Sequence, residues 1–270
     1  QVVYGSHDQL AVYDLESGRV TQLTSDAANH RYPVWTPDGR HIVYSSDAGG
    51  VGSLSLYVRR ADGSGGATRL TTTSGTQAVA SMHPEGRFIL YTETVRDRPS
   101  SLCLLPLEGS PDAGWKPGTA RVYSNAPAFE ALGAFSPDGR LVAYMSSAQG
   151  PFEIYVRPLE GSGGPWRVST GGGAHPVWSR SASELLFTTE DQIMTARYEY
   201  DGREFEVETP RPWSPVRYAT AGPTRKYDLH PDGTRAIVAG PDTTGATAHD
   251  EVVFVFNFFD ELERLLPAKR

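Results

Sequence analysis

Pro33-Val-Trp-Thr-Pro-Asp-Gly-Arg-His-Ile-Val-Tyr-Ser-Ser46, written PVWTPDGRHIVYSS, decides the fold because the chain repeats it. It recurs as ASMHPEGRFILYTE around Pro84-Glu85-Gly86, as GAFSPDGRLVAYMSS around Pro137-Asp138-Gly139, and as YDLHPDGTRAIVAG around Pro231-Asp232-Gly233. A degenerate copy, PVWSRSASELLFTT, puts Ser181 where the others carry an acid. Successive copies lie 47, 53, 43 and 51 residues apart. The period is about 48, which is the length of a four-stranded propeller blade.

Each unit has the same grammar. A short strand ends on a bulky residue (Trp35, Met82, Phe135, Trp178, Leu229). A tight turn follows, in which Pro presets φ, Asp bonds nearby backbone and Gly accepts a positive φ. A second strand carries an aromatic near its end: Tyr44, Tyr91, Tyr144, Phe187. A third alternates strongly (LSLYVRR, SLCLLPL, FEIYVRPL, QIMTARY, EVVFVFNF), and a weaker fourth is read from TRL, RVY and WRVS. Alternation bounded by Gly, Pro and Asp marks half-buried strands. Helical signals occur at Asp260-Glu-Leu-Glu263-Arg-Leu-Leu-Pro267, where Asp260 and Glu263 spell a capping box.

The reading is an all-β, six-bladed propeller of four-stranded antiparallel blades, with a short C-terminal helix, forming one domain over 1–270. Its blades run over about 1–26, 27–74, 75–126, 127–171, 172–221 and 222–270. The first 25 residues supply VVYGS, QLAVYDL and RVTQL, matching second, third and fourth strands, so the first blade is incomplete at its N-terminal side. The sixth runs from its third strand into the helix. We expect chain upstream of Gln1 to furnish the missing innermost strand. The apolar segment Glu251–Phe259 is expected as a core strand, because a bare edge of that composition would aggregate.

Composition restricts partners and chemistry. The 28 glycines and 20 prolines fit a turn-rich chain. One cysteine among 270 residues excludes disulfide stapling and Cys-ligated zinc, and Cys103 reads as a buried hydrophobe. A net charge of −7 opposes nucleic acid or an anionic membrane as partner. No run of eighteen apolar residues could insert in a membrane. There is no G-x-S-x-G elbow, HExxH, EF-hand loop or P-loop.

These units resemble the TolB-like propeller, a branch of WD-like repeats with a Pro-Asp-Gly turn, and the resemblance covers essentially the whole chain. More narrowly, FEIYVRPLEGSGGPWRVSTGGGAHPVWSR and VVFVFNFFDELERLLP are similar to propeller regions of bacterial multidomain proteins. Such regions follow a serine/threonine kinase domain and membrane segment, or stand alone as exported proteins. The resemblance implies an extracytoplasmic setting in the periplasm or cell envelope. Nothing of a kinase is in this chain: it has no Gly-rich nucleotide loop, HRD-type loop or DFG triplet. The Asp of the turn is replaced by Glu85 in one unit and by Ser181 in another, a departure from the repeat.

Fold does not give function, so the site is sought separately. Aligning the units on the turn stacks three layers at the entrance to each innermost strand: His30, Gln77, Glu130, Gly173, Thr224; then Arg31, Ala78, Ala131, Ala174, Arg225; then Tyr32, Val79, Leu132, His175, Lys226. They vary where the following positions are stereotyped, as expected of a scaffold presenting a site and equally of a solvated rim. His30, Arg31, Tyr32, Gln77, Glu130, His175, Arg225 and Lys226 are the candidate binding residues, on the face opposite Asp38, Asp138 and Asp232. Arg31, Arg225 and Lys226 suit a carboxylate or acidic peptide. His30, Glu130 and His175 form a weaker alternative metal set. The turn acids read as turn caps, and His83 and His230 as side chains bonding local backbone. No cofactor or catalytic residue is assigned. The expected function is a non-catalytic binding module for a protein, peptide or small ligand, with the sensor part of a larger bacterial protein as one such role. The alternative is a metal-assisted hydrolase or lyase working in the central channel.

Overall fold

The computed structural model describes residues 1–6, 8–50, 52–72, 75–110, 114–124, 126–215, 217, 225, 227–238 and 253–255. Within them every regular element is a strand, and the strands form six antiparallel sheets in chain order. The second sheet shows the plan: inner strand His30–Trp35, then Ser46 back to His41, then Ser55–Arg60, and outer strand Thr68–Arg69. The fourth repeats it with Glu130–Phe135, Leu141–Ser146, Glu153–Pro158 and Trp166–Arg167.

Turn chemistry explains the joint between inner and second strands. Gly39, Gly86, Gly139 and Gly233 all have φ between 66° and 75°, a region closed to most side chains. Their amides donate to the carbonyls of Thr36, His83, Ser136 and His230. Asp38 accepts from the Arg40 amide at 3.2 Å and Asp138 from the Arg140 amide at 3.0 Å. The turn acids are therefore caps. His83 and His230 act alike, each Nδ1 accepting from the backbone amide two residues on, at 3.1 and 3.2 Å.

Second strands are buried on both sides, which is why they read as continuous apolar runs. Tyr44, Tyr91, Tyr144 and Phe187 are each 1% exposed. Alternate residues feed different cores: Ile42 and Tyr44 face the first sheet, while Val43 faces the third. Five apolar clusters result, one at each boundary between consecutive sheets. Cys103 sits in the second–third boundary, 2% exposed, as the sequence implied.

Hydrogen bonds cross the same boundaries near the inner strands. The Val79 amide donates to Ser45 Oγ at 3.0 Å, and the Phe135 amide to Ser81 Oγ at 3.2 Å. Trp178 Nε1 donates to the Ala134 carbonyl at 3.0 Å, and Tyr227 OH to the His175 carbonyl at 2.9 Å. Such bonds are directional and fix each sheet's angle on the next.

The first sheet has three strands, Val2–Ser6, Gln9–Tyr13 and Val20–Gln22, and the sixth has Tyr227–Leu229, Ala236–Val238 and Val253–Val255. The helix expected at Asp260–Leu266 and most of Glu251–Phe259 lie outside the described residues. Two hairpin extensions were not anticipated. Gly114–Pro117 pairs with the far end of Ser101–Ser110, and Phe205–Val207 with the far end of Ile193–Tyr200.

Candidate binding site at the strand entrances

The end of each inner strand remote from the turn is tied to the preceding sheet. The amides of His30, Gln77, Glu130 and Gly173 donate to the carbonyls of Asp8, Leu54, Ser100 and Phe152, each of which ends the preceding sheet's loop between second and third strands. The first layer is thus drawn into the boundaries. His30, Gln77 and Glu130 are at most 2% exposed.

At two boundaries a hydroxyl at the end of the preceding outer strand answers this layer. Thr71 donates to Gln77 Oε1, and Gln77 Nε2 donates to Glu93 at 3.1 Å. Ser124 bonds the Glu130 carboxyl. At Gly173, whose side-chain position is already taken by Ser169 and Ile154, Glu153 of the preceding sheet supplies the carboxylate, taking the Ser169 hydroxyl and the amides of Gly171 and Gly172. His30 Nε2 contacts Asp26 at 2.8 Å and the ring meets Tyr44 edge-on at 5.6 Å.

The electrostatics differ between boundaries. Burial pushes the Glu130 carboxyl above the usual range, against the opposing pull of Ser124, the Ala126 amide and Arg157. Its Oε2 is enclosed without a hydrogen-bond partner among the described residues. Burial acts on Glu153 in the same sense, but its hydroxyl, amide and Arg167 partners outweigh it and hold this carboxyl below the usual range.

The second and third layers divide. Arg31 is reachable, its side chain 50% exposed and paired to Asp8 at 2.6 Å. Arg225 is 36% exposed with Asp228 at 3.7 Å. Tyr32, Leu132 and His175 share one backbone feature, a positive φ of 52–57°. It sits in an inner-strand bulge where two residues oppose one of the second strand. The bulge sends Tyr32 and Leu132 against the next boundary's core. His175 is buried, its Nδ1 3.2 Å from Thr188 Oγ1. Lys226 and Thr224 lie outside the described residues.

Of the eight candidates, four (His30, Gln77, Glu130, His175) are enclosed between sheets and three (Arg31, Tyr32, Arg225) reach solvent in part. Among the described residues no three His, Cys, Asp or Glu side chains gather as a metal site, and His30, Glu130 and His175 belong to different boundaries. Sequence reasoning missed the seam role of this layer. Its signal was the hydroxyl two or three residues into each outer strand's end (Thr24, Thr71, Ser124, Ser169).

Sheets stacked side by side, each joined to the next by a core and by inner-strand bonds, define a β-propeller. Known structures place it more narrowly: the fold is that of a TolB-like β-propeller. A putative TolB from Agrobacterium tumefaciens superposes with a TM-score of 0.61 at 18% identity, over 81% of this chain and 78% of that one. TolB from Acinetobacter baumannii gives 0.63 at 16%, over 87% of this chain, which spans about half (54%) of that protein. A periplasmic gluconolactonase, PpgL, from Pseudomonas aeruginosa gives 0.54 at 17%, over 92% and 77%. No protein-family model and no curated protein sequence matches the chain.

Proposed function

We propose that the chain is a non-catalytic binding module, a rigid six-bladed ring over 1–270 with the blade limits read from the sequence. Its channel mouth and loops present a surface to a protein, peptide or small ligand, as the sensing part of a larger bacterial envelope protein. One observation carries this reading. The enclosed groups His30, Gln77, Glu130 and Glu153 are engaged by protein partners, Gln77 and Glu130 across a boundary and Glu153 within its own sheet, while Arg31, Tyr32 and Arg225 remain reachable around a frame locked by cross-boundary bonds. A fixed frame carrying guanidinium groups favours carboxylate recognition, because little side-chain and loop freedom is lost on binding. An extracytoplasmic setting accords with the periplasmic origin of the gluconolactonase of like fold. Among the described residues no helix is long and apolar enough to cross a membrane.

Calorimetric titration with hexaglutamate and with citrate tests the reading. Binding should appear and weaken at least tenfold in the Arg31→Ala/Arg225→Ala variant. The gluconolactonase likeness keeps one rival in view, an enzyme working in the channel. Turnover of glucono-lactone by the purified chain, lost in Glu130→Gln, would replace the binding reading with that one.

A further inference from the structure

Among the described residues, the large apolar side chains left exposed include two aromatics, Phe129 at 39% and Phe152 at 45%, and they touch. Their rings meet edge-on with centroids 5.4 Å apart and planes at 69°. Both belong to the fourth sheet's loops at the strand-entrance face, immediately before Glu130 and Glu153.

The repeats provide an internal control on whether the fold requires them. The seat of Phe129 is held by Asn29, Thr76 and Gly172 in other sheets, and that of Phe152 by Asp8, Leu54, Ser100 and Asp191. The backbone bonds here are shared, since the amides of His30, Gln77, Glu130 and Gly173, each next to the first seat, donate to the carbonyls of Asp8, Leu54, Ser100 and Phe152 at the second. Three sheets therefore form without an aromatic at either seat, and the first forms without one at the seat it has. Two phenylalanines on one exposed spot are not a packing demand.

The neighbouring loop adds charge. Residues 95–100 carry exposed Val95, Arg96, Asp97 and Arg98, a net positive loop in which neither guanidinium has an ion-pair partner among the described residues. This loop is fastened beside Phe129: Ser100 Oγ donates to the Glu130 carbonyl at 3.0 Å and the Glu130 amide to the Ser100 carbonyl at 3.2 Å. In a chain of net charge −7, a net positive loop fastened next to an exposed apolar pair is a local exception.

We propose that Phe129 and Phe152, with Arg96 and Arg98, form an off-axis docking patch for an acidic peptide segment bearing an aromatic or large aliphatic side chain. The apolar pair would seat that side chain and the arginines its flanking carboxylates, the combination that dominates small interfaces. An acidic peptide is favoured over an anionic bilayer, because a flat charged surface would also meet Asp26, Asp47 and Asp191 on the same face, whereas a peptide touches only the third and fourth sheets. This proposal rests on the binding-module reading and names its partner class.

The test is selection of a random dodecapeptide library displayed on phage against the whole chain. Enriched sequences should combine Asp or Glu with Phe, Trp or Leu. Synthetic versions should bind at least tenfold more weakly to Phe129→Asn/Phe152→Ser, whose new residues are those of sister seats, and to Arg96→Glu/Arg98→Glu. Both variants should keep the parent melting temperature. Enrichment without acids and apolar anchors, or no enrichment, overturns the proposal. Peptides indifferent to the Phe variant but lost in Arg31→Ala/Arg225→Ala overturn it while leaving the mouth reading intact. Anionic vesicles binding through the same two phenylalanines, or dimerisation abolished by their replacement, overturn it in favour of lipid or of a second copy.

Discussion

Arg167 and Glu153 form a charged pair with Nη2 2.7 Å from Oε1, on a carboxylate whose side chain is 3% exposed. The same guanidinium donates from Nε to the Ser169 carbonyl at 2.8 Å. Arg69 repeats the gesture two boundaries earlier, reaching the Thr71 carbonyl at 2.7 Å and Ser55 Oγ at 2.8 Å. Gln22 does so with its amide on the Thr24 carbonyl at 2.8 Å. An outer-strand side chain thus closes the polar seam at three boundaries.

Glu153→Gln should destabilise the chain by about 2 kcal/mol at pH 7, the usual worth of a charge-assisted bond set. The lowered carboxyl contributes stability that is present above the ordinary glutamate value of 4.5 and is lost as pH falls through the lowered one. The parent and Gln variant should therefore converge on acidification. Thermal melts taken from neutral pH down through and below 4.5 check this, and identical curves at neutral pH would refute it.

Glu130→Gln should behave oppositely. Burial raises this carboxyl, so the unfolded chain ionises first and stability falls as pH rises from 4.5 towards the raised value. Removing the ionisation should leave the fold intact and make the variant as stable as the parent or more so at pH 8. A strong loss of stability at that pH, with the loss absent at pH 4, would show that the ionised form is held by partners beyond Ser124 and Ala126.

Val122 stands where Arg69 and Arg167 stand: it pairs with Cys103 as they pair with Tyr57 and Tyr155. It is 53% exposed and closes nothing, and its boundary is the one with the unpartnered Glu130 Oε2. Val122→Arg should install the missing closure and add about 0.5–1 kcal/mol of stability. The gain should vanish when combined with Glu130→Gln. A double-mutant cycle by denaturant unfolding reads the coupling; an additive pair would mean that Arg157, already 3.0 Å from Ser124 Oγ, occupies the place.

The repeat was legible because turn chemistry is local. Pro37-Asp38-Gly39 and its copies announce the same corner wherever they occur, and Tyr44, Tyr91, Tyr144 and Phe187 mark the strand after it. The role of the entrance layer was hidden because it depends on pairs at uneven separations, such as Thr71 with Gln77 and Ser100 with Glu130. Variation among His30, Gln77, Glu130 and Gly173 resembles a rim until Ser169 and Ile154 are seen filling the space beside Gly173. Phe129 and Phe152 escaped notice because a single aromatic in a loop carries no period; only their contact in space makes them a patch. The hairpin ends at Gly114–Pro117 and Phe205–Val207 lack the Pro-Asp-Gly signature and interrupt the repeat.

In the second to fifth sheets an inner strand covers the edge of the second strand, and the residues between Ile42 and Ser46 are wholly buried. Val2–Ser6 holds the second-strand place in the first sheet, paired to Gln9–Tyr13 alone among the described residues. Amides on an uncovered edge exchange through fraying of a single ladder, whereas those of Ile42–Ser46 need both neighbours displaced. A covered inner strand also removes apolar surface from water, at about 25 cal/mol per Å². Val2 to Leu15 should therefore exchange hydrogen faster than Ile42 to Val58, by tenfold or more, and be the first segment cut in limited proteolysis. An added synthetic peptide with the sequence of the inner strand His30–Trp35 should slow that exchange. Equal protection of the two segments in the monomer would show that another part of the chain already covers the inner edge of Val2–Ser6.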